Sequence, residues 1–352
     1  MNSCVRSFAI LSVFAILFLT GCNIVKKESK TPTLLKAEEA SQKELEAEIN
    51  RFARVGSMRA KMDLKFEDNS FAQFGSKEVY RAADGEVVVQ RPASILLKVQ
   101  VPVLKTDVAQ MTSDGEKFRV AILQDGGSGK YKKFVIGTND ADYSILQKEI
   151  VTDNGNSTIT QNVNAFANLR PQHFTDAMLV RPTSGDRIYT RSSIFQIEED
   201  ASQPKKSPLR VVNRGYYLLD EFVRTDSSEL RITRRFWFDR VGGIRLARQQ
   251  IFDGKGEIES DIVYGLEGKL TETADYANLP LQIIVTRPQE KYSMKLTYKM
   301  PESVVIGQKY PTTAFVLQNS WELEEVDLDK KLSEAKTANP SSTPNAGVTR
   351  IQ

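Results

Sequence analysis

The stretch from Val87 to Leu123, VVVQRPASILLKVQVPVLKTDVAQMTSDGEKFRVAIL, limits this chain more than any other, because short apolar runs alternate there with turn signals. Val87–Val89, Ile95–Val99 and Phe118–Ile122 are rich in β-branched and apolar residues, and Arg91-Pro92, Val101-Pro102 and Ser113-Asp114-Gly115 separate them. Asp-Gly between alternating runs is a strong short-range hairpin signal. Period two sets Ile95, Leu97, Val99 and Val101 on one face and Lys98 and Gln100 on the other. The stretch reads as an antiparallel meander with one apolar side that something must cover.

The same pattern extends in both directions. Met58, Ala60, Met62, Leu64 and Phe66 alternate with Arg59, Lys61, Asp63 and Lys65, and a strand near 77–82 is expected to turn at Asp84-Gly85 into the meander. Gly126–Gly129 reads as a hairpin tip. Strands are expected at 187–197 and 209–224. A second meander follows over 230–239, 244–252 and 258–266, and a last pair over 281–287 and 292–299. Helical composition is confined to 35–55, with Leu45, Ile49 and Phe52 on one stripe, and to an irregular insertion over 139–179 whose clearest piece starts at Pro171. Hairpins without helical crossovers exclude a doubly wound α/β fold and give a mainly β, α+β chain with one antiparallel sheet.

The first 22 residues carry Arg6, an apolar run from Phe8 to Leu19, and Leu19-Thr20-Gly21-Cys22. The run falls short of the roughly 20 residues that span a bilayer, and small residues before a cysteine mark an export cleavage site. The segment resembles a bacterial lipobox. That resemblance implies a signal peptide over 1–21, acylation of Cys22, membrane attachment through it, and a lipidated tether over 22–40 ahead of a domain over 41–330. Asn23 in place of aspartate implies the outer membrane, with the domain facing the periplasm. The remaining cysteine, Cys4, leaves with the signal, so no disulfide is expected. Loss of one arginine takes the formal charge from +3 to +2, with both signs interspersed, and nothing suggests a nucleic-acid partner. The polar segment over 331–352 reads as a disordered tail.

Catalytic signals are poor. The sole histidine, His173, allows no His-based ligand pair, no G-x-S-x-G elbow occurs, and Ser333–Lys336 spells S-x-x-K without companion motifs. No enzyme activity, cofactor or metal is expected. Arg231, Arg234, Arg235, Arg240, Arg245 and Arg248 cluster with Phe236, Trp237 and Phe238, which reads as the solvated outer face of a sheet.

The ladder of Arg91-Pro92, a strand, Val101-Pro102, a strand and Ser113-Asp114-Gly115-Glu116-Lys117-Phe118 resembles the bacterial outer-membrane lipoprotein carrier and receptor family of the LolA/LolB type, over roughly Leu45 to Val326. It departs from that family in the extra residues at 139–229 and in Phe118, where the family often has Trp. The resemblance implies an unclosed antiparallel half-barrel of about eleven strands whose apolar concave face is lidded by helices and holds acyl chains. Met62, Leu64, Phe66, Ile95, Leu97, Val99, Val120, Ile122, Phe236 and Phe238 are the candidate lining. Val103 and Leu104 would correspond to a protruding loop that the family's anchored receptors push towards the bilayer. Two functions follow. One is a lipid-anchored protein that takes acyl chains of lipoproteins, or another amphiphile, and assists delivery to the outer membrane. The alternative is an envelope assembly adaptor with a protein partner, whose concave face is filled by its own side chains.

Overall fold

The structure is a computed structural model, and it describes residues 31–68, 78–79, 83–101, 104, 106–124, 129, 132–141, 143, 146, 170–268, 270 and 279–338. Cys22 and the signal segment, Val103, most of the 126–130 tip and residues 339–352 lie outside the described residues.

In chain order the elements are β1 (Thr33–Leu34), α1 (Gln42–Ala53), β2 (Ser57–Asp68), β3 (Glu78–Val79), β4 (Ala83–Gln90), β5 (Ser94–Gln100), β6 (Asp107–Ser113), β7 (Lys117–Ile122) and β8 (Phe134–Thr138). Then follow α2 (Pro171–Met178), β9 (Ile188–Glu199), β10 (Val211–Arg224), β11 (Leu230–Asp239), β12 (Arg245–Phe252), β13 (Ile258–Gly268), β14 (Leu279–Arg287) and β15 (Tyr292–Lys299). The short β16 (Val305–Ile306) and β17 (Glu325–Asp327) precede the last helix, α3 (Leu328–Ala338).

Two units divide these elements. One comprises residues 36–195 and 214 onwards, and the other comprises residues up to 35 together with 196–213. In the larger unit, pairing runs from β10 through β11, β12, β13, β14 and β15 to β2, and on through β4, β5, β6, β7 and β8, antiparallel throughout. β17 then adds in parallel to β8. The sheet is not closed into a barrel. β2 sits between two meanders, with Met62 opposite Gly85 on one side and Tyr298 on the other, so its alternating residues join the halves of the apolar face. Thirteen described strands have five residues or more, and β9 and β10 come from the 139–229 stretch expected as an insertion.

Four local expectations are corrected. Asp84-Gly85 is not a turn but lies inside β4, because a side chain at 85 would collide with Leu64: a Cβ there would stand 2.7 Å from Leu64 Cδ1. The close approach, not a reversal of the chain, requires this glycine. The helix expected over 35–55 starts at Gln42, since Ser41 and Glu44 form a capping box in which Ser41 N donates to Glu44 Oε2 at 2.7 Å. Residues 36–40, expected within the tether, are held to the sheet: Glu38 N donates to Arg240 O at 2.8 Å and Arg240 Nε to Glu38 O at 2.8 Å. At the other end, 331–338 of the expected disordered tail are helical, in α3. Leu332 is buried, and Asp329 accepts from Thr138 Oγ1 at 2.8 Å, so packing outweighs the polar composition there.

Candidate functional site

All ten candidate lining residues share one apolar core. Met62, Ile95, Leu97, Val99, Val120, Ile122, Phe236 and Phe238 are buried, and Leu64 and Phe66 are half-buried against the same cluster. Register explains the convergence: Leu97 lies opposite Val87 and Met111, and Met111 opposite Val120. Opposed residues project from the same side of a sheet, so one inward residue recruits its partners strand after strand.

Two helices occupy this face. α1 buries Leu45, Ile49 and Phe52, and the Phe52 ring meets Tyr264 with centroids 5.5 Å apart. α2 buries Phe174, Ala177 and Met178 and packs against β4, β5, β6 and β14. It also carries the one histidine onto the face, where His173 Nδ1 hydrogen-bonds the Tyr292 hydroxyl. Burial, with Arg287 and Arg170 nearby, holds the His173 pKa well below its usual value, so the ring is neutral. Burial also raises the Tyr292 hydroxyl far above its ordinary range, which leaves both members of the pair uncharged.

Between the end of α1, α2 and β13–β15 lies a cavity of about 20 Å³, lined by Phe52, Val55, Met58, Met178, Tyr264, Ile283 and Tyr298 among others. A ligand pocket typically measures about 300–1,000 Å³. At this place the face is covered by α1 and α2, which bury Leu45, Ile49, Phe52, Phe174, Ala177 and Met178. One buried polar atom on it has no hydrogen-bond partner among the described residues: Gln249 Oε1, on a residue that is 1% exposed and stands between Phe236 and Ile262 on neighbouring strands.

The chain leaving α2 is pinned along five residues. Arg91 donates to Leu179 O at 3.5 Å and to Val180 O at 2.6 Å, and its Nε donates to Val55 O at the end of α1 at 3.0 Å. Arg234 donates to Arg181 O at 2.8 Å and Pro182 O at 3.1 Å. Asn50 of α1 takes Thr183, accepting from its N at 3.0 Å and donating to its Oγ1 at 2.8 Å. Arg234 is anchored in turn by Glu221, with Nε to Oε1 at 2.8 Å, while Tyr189 and Thr233 donate their hydroxyls to the same carboxylate at 2.8 and 2.7 Å. Burial pushes the Glu221 carboxyl up, but the hydrogen bonds and charge of Arg234 outweigh it and leave its pKa below the usual range. Burial pushes the Tyr189 hydroxyl up to about 12.

Sequence reasoning missed Arg234 and left Arg91 as part of a turn signal. Arg91-Pro92 was the available hint. Arg234 gave none, because it stands in the same alternating run as arginines of the opposite face. Two of the cluster do face outwards: Arg235 pairs with Asp220 at 2.6 Å, and Arg248, on the next strand, pairs with Asp261 and lies over the Trp237 ring. The expectation of a wholly solvated arginine face is thereby corrected for Arg234 and Arg240, which are buried because carboxylates, carbonyls and aromatic rings receive them.

Leu104, in the loop from β5 to β6, is 74% exposed. Val101 N donates to Thr106 O at 2.9 Å and closes the loop below it. Among the described residues, no group of three or more His, Cys, Asp or Glu is placed to hold a metal ion, and no helix is long and apolar enough to cross a membrane.

No protein-family model matches the chain, and no curated protein matches it. Solved structures do. A LolA superfamily protein from Nitrosomonas europaea is similar over 79% of this chain and 99% of its own, at 10% identity and a TM-score of 0.39. A DUF1329 family protein from Desulfovibrio piger is similar over 78% and 95%, at 9% identity and a TM-score of 0.41. A domain described as outer membrane lipoprotein-sorting, from Vibrio parahaemolyticus, is similar over 77% and 94%, at 10% identity and a TM-score of 0.36. The similarity to these structures is one of fold.

Proposed function

We propose that this chain is a non-catalytic, lipid-anchored protein of the cell envelope, held by an acylated Cys22, that takes acyl chains of lipoproteins or another amphiphile onto its inner face. It would assist their delivery to the outer membrane, with Leu104 and Val103 entering lipid at the point of transfer. The observation that carries this reading is the nature of the cover. An isolated helix shorter than about 12 residues is not stable in water, and α2 has eight. Its place therefore depends on the apolar surface it buries, and an acyl chain makes the same contacts with that surface.

At its start α2 is held by Arg170, which donates to Asn139 O at 2.8 Å, and by the His173–Tyr292 hydrogen bond, so displacement requires these contacts to part. Gln249 Oε1 adds a polar point on the face for an amide or hydroxyl of the amphiphile. The covered cavity also favours a second reading, an assembly adaptor whose face is filled by its own helices.

Tyr292→Phe tests between the two. It keeps the ring that stacks on Phe66 and removes the hydroxyl that holds His173. An unsatisfied buried group costs about 1–3 kcal/mol, so a displaceable α2 should admit a fluorescent fatty acid about tenfold more tightly in the variant. Absence of saturable binding in both proteins, with only a lower melting temperature in the variant, favours the adaptor.

A further inference from the structure

Residues 31–35 and 196–213 form a compact unit of their own. Within it β1 runs parallel to the start of β10, with Thr33 beside Val212 and Leu34 beside Asn213. On the other side of β10, Asp200 N donates to Arg210 O at 2.7 Å where the hairpin from β9 turns over. Counting three residues back from that rung on one strand and three forward on the other sets Ile197 opposite Asn213. Opposed residues share a face, so Ile197 and Leu34 flank Asn213 on the same side. They are 68% and 66% exposed.

The loop beyond the strand ends, Ala201 to Leu209, carries Lys205 and Lys206, both exposed, and no acid. It finishes on Leu209, which is 55% exposed on a 3-10 turn, where Ser207 Oγ accepts from Leu209 N at 3.1 Å. The acids next to the loop are engaged: Glu199 with Arg210 at 2.9 Å, and Asp200 with Ser202 N at 2.9 Å and Ser202 Oγ at 2.6 Å.

Single exposed apolar residues are ordinary on a protein surface. Here three large ones accompany two exposed lysines on a loop without acids, within one small unit that also carries Glu198, Glu199, Asp200 and Arg210, and that unit begins shortly after Cys22. We infer that this unit docks on anionic phospholipid: Leu209, Ile197 and Leu34 enter the headgroup boundary, and Lys205 and Lys206 meet the phosphates. Ten residues lie between Cys22 and Thr33, a span of at most about 40 Å when extended, and they include Lys26, Lys27 and Lys30. An acyl anchor and a basic patch together make stable attachment, where a single acyl chain alone is marginal and reversible. The docking goes beyond the proposed carrier activity and rests on it only for the nearness that acylation of Cys22 supplies.

The test reads depth. Leu209→Cys, labelled with bimane in the full chain purified from membranes, is placed with phosphatidylcholine vesicles that contain nitroxide lipid, with and without phosphatidylglycerol. Quenching should appear with phosphatidylglycerol and fade in high salt. In Lys205→Gln/Lys206→Gln the partition of the tip should fall about thirty-fold. Bimane that stays unquenched, or quenching that ignores phosphatidylglycerol, overturns the docking. Quenching is read whether or not the chain floats with the vesicles; loss of flotation in high salt counts against acylation of Cys22 and not against the docking.

Discussion

Arg234→Ala is expected to lower the stability of the protein by about 3–5 kcal/mol, because it leaves a buried carboxylate without its counter-charge. Arg234 and Glu221 are each 5% exposed in their side chains. The variant strips Glu221 of its charged partner and removes the donors to Arg181 O and Pro182 O, while the hydroxyls of Tyr189 and Thr233 remain on the carboxylate. Urea unfolding followed by tryptophan fluorescence measures the loss directly, since Trp237 lies on the same strand. Glu221→Gln is the companion: it keeps the shape but leaves the buried Arg234 guanidinium without its counter-charge, so a comparable loss is expected, and the double variant Arg234→Met/Glu221→Gln, which removes both charges, should lose less than Arg234→Ala. A loss below about 1 kcal/mol in Arg234→Ala would mean that water reaches the pair and that the segment after α2 is not held as described.

The second large effect is expected on the apolar face. Leu97 is fully buried between Val87 and Met111, and Leu97→Ala should cost about 2–5 kcal/mol by leaving a cavity there. Leu97→Glu places an unpaired charge in the same space and should prevent accumulation of folded protein. Lys98 points the other way, and Lys98→Gln should stay within about 0.5 kcal/mol of the parent. Thermal melts of the three variants check the assignment of faces. Similar losses at 97 and 98 would show that this strand does not separate a buried side from a wet one.

Much of the sheet is legible in the residues, because alternation and turn chemistry are local. Ser113-Asp114-Gly115 makes its turn, with Gly115 at φ +103° and Asp114 Oδ1 accepting from Glu116 N and Lys117 N. The ten candidate residues converge on one core because period two propagates through register. Asp84-Gly85 misleads for the opposite reason: it is a turn dipeptide in isolation, and only the Leu64 side chain from β2 decides that the glycine serves contact. The start of α1 is written in Ser41 and Glu44, but the helical composition of residues 35–40 hides it until Arg240 is seen to take Glu38. Arg234 is the hardest case. Nothing in LRITRRFWFD separates the buried arginine from its neighbour, since the difference lies in Glu221 and in two carbonyls more than fifty residues away. Under the proposed function, whether α2 can leave the face is likewise not a local property, because it would depend on the balance between the helix and an acyl chain for one surface.

That balance is measured most directly by what the protein carries. The full chain should be purified from cells without detergent exchange, extracted with organic solvent, and its non-covalent lipids quantified by mass spectrometry against protein. The account predicts acyl-bearing lipid at a fixed ratio to protein, beyond the chains bonded to Cys22, and competition by added palmitate. An extract free of such lipid, from a protein that also takes up no palmitate, would contradict it.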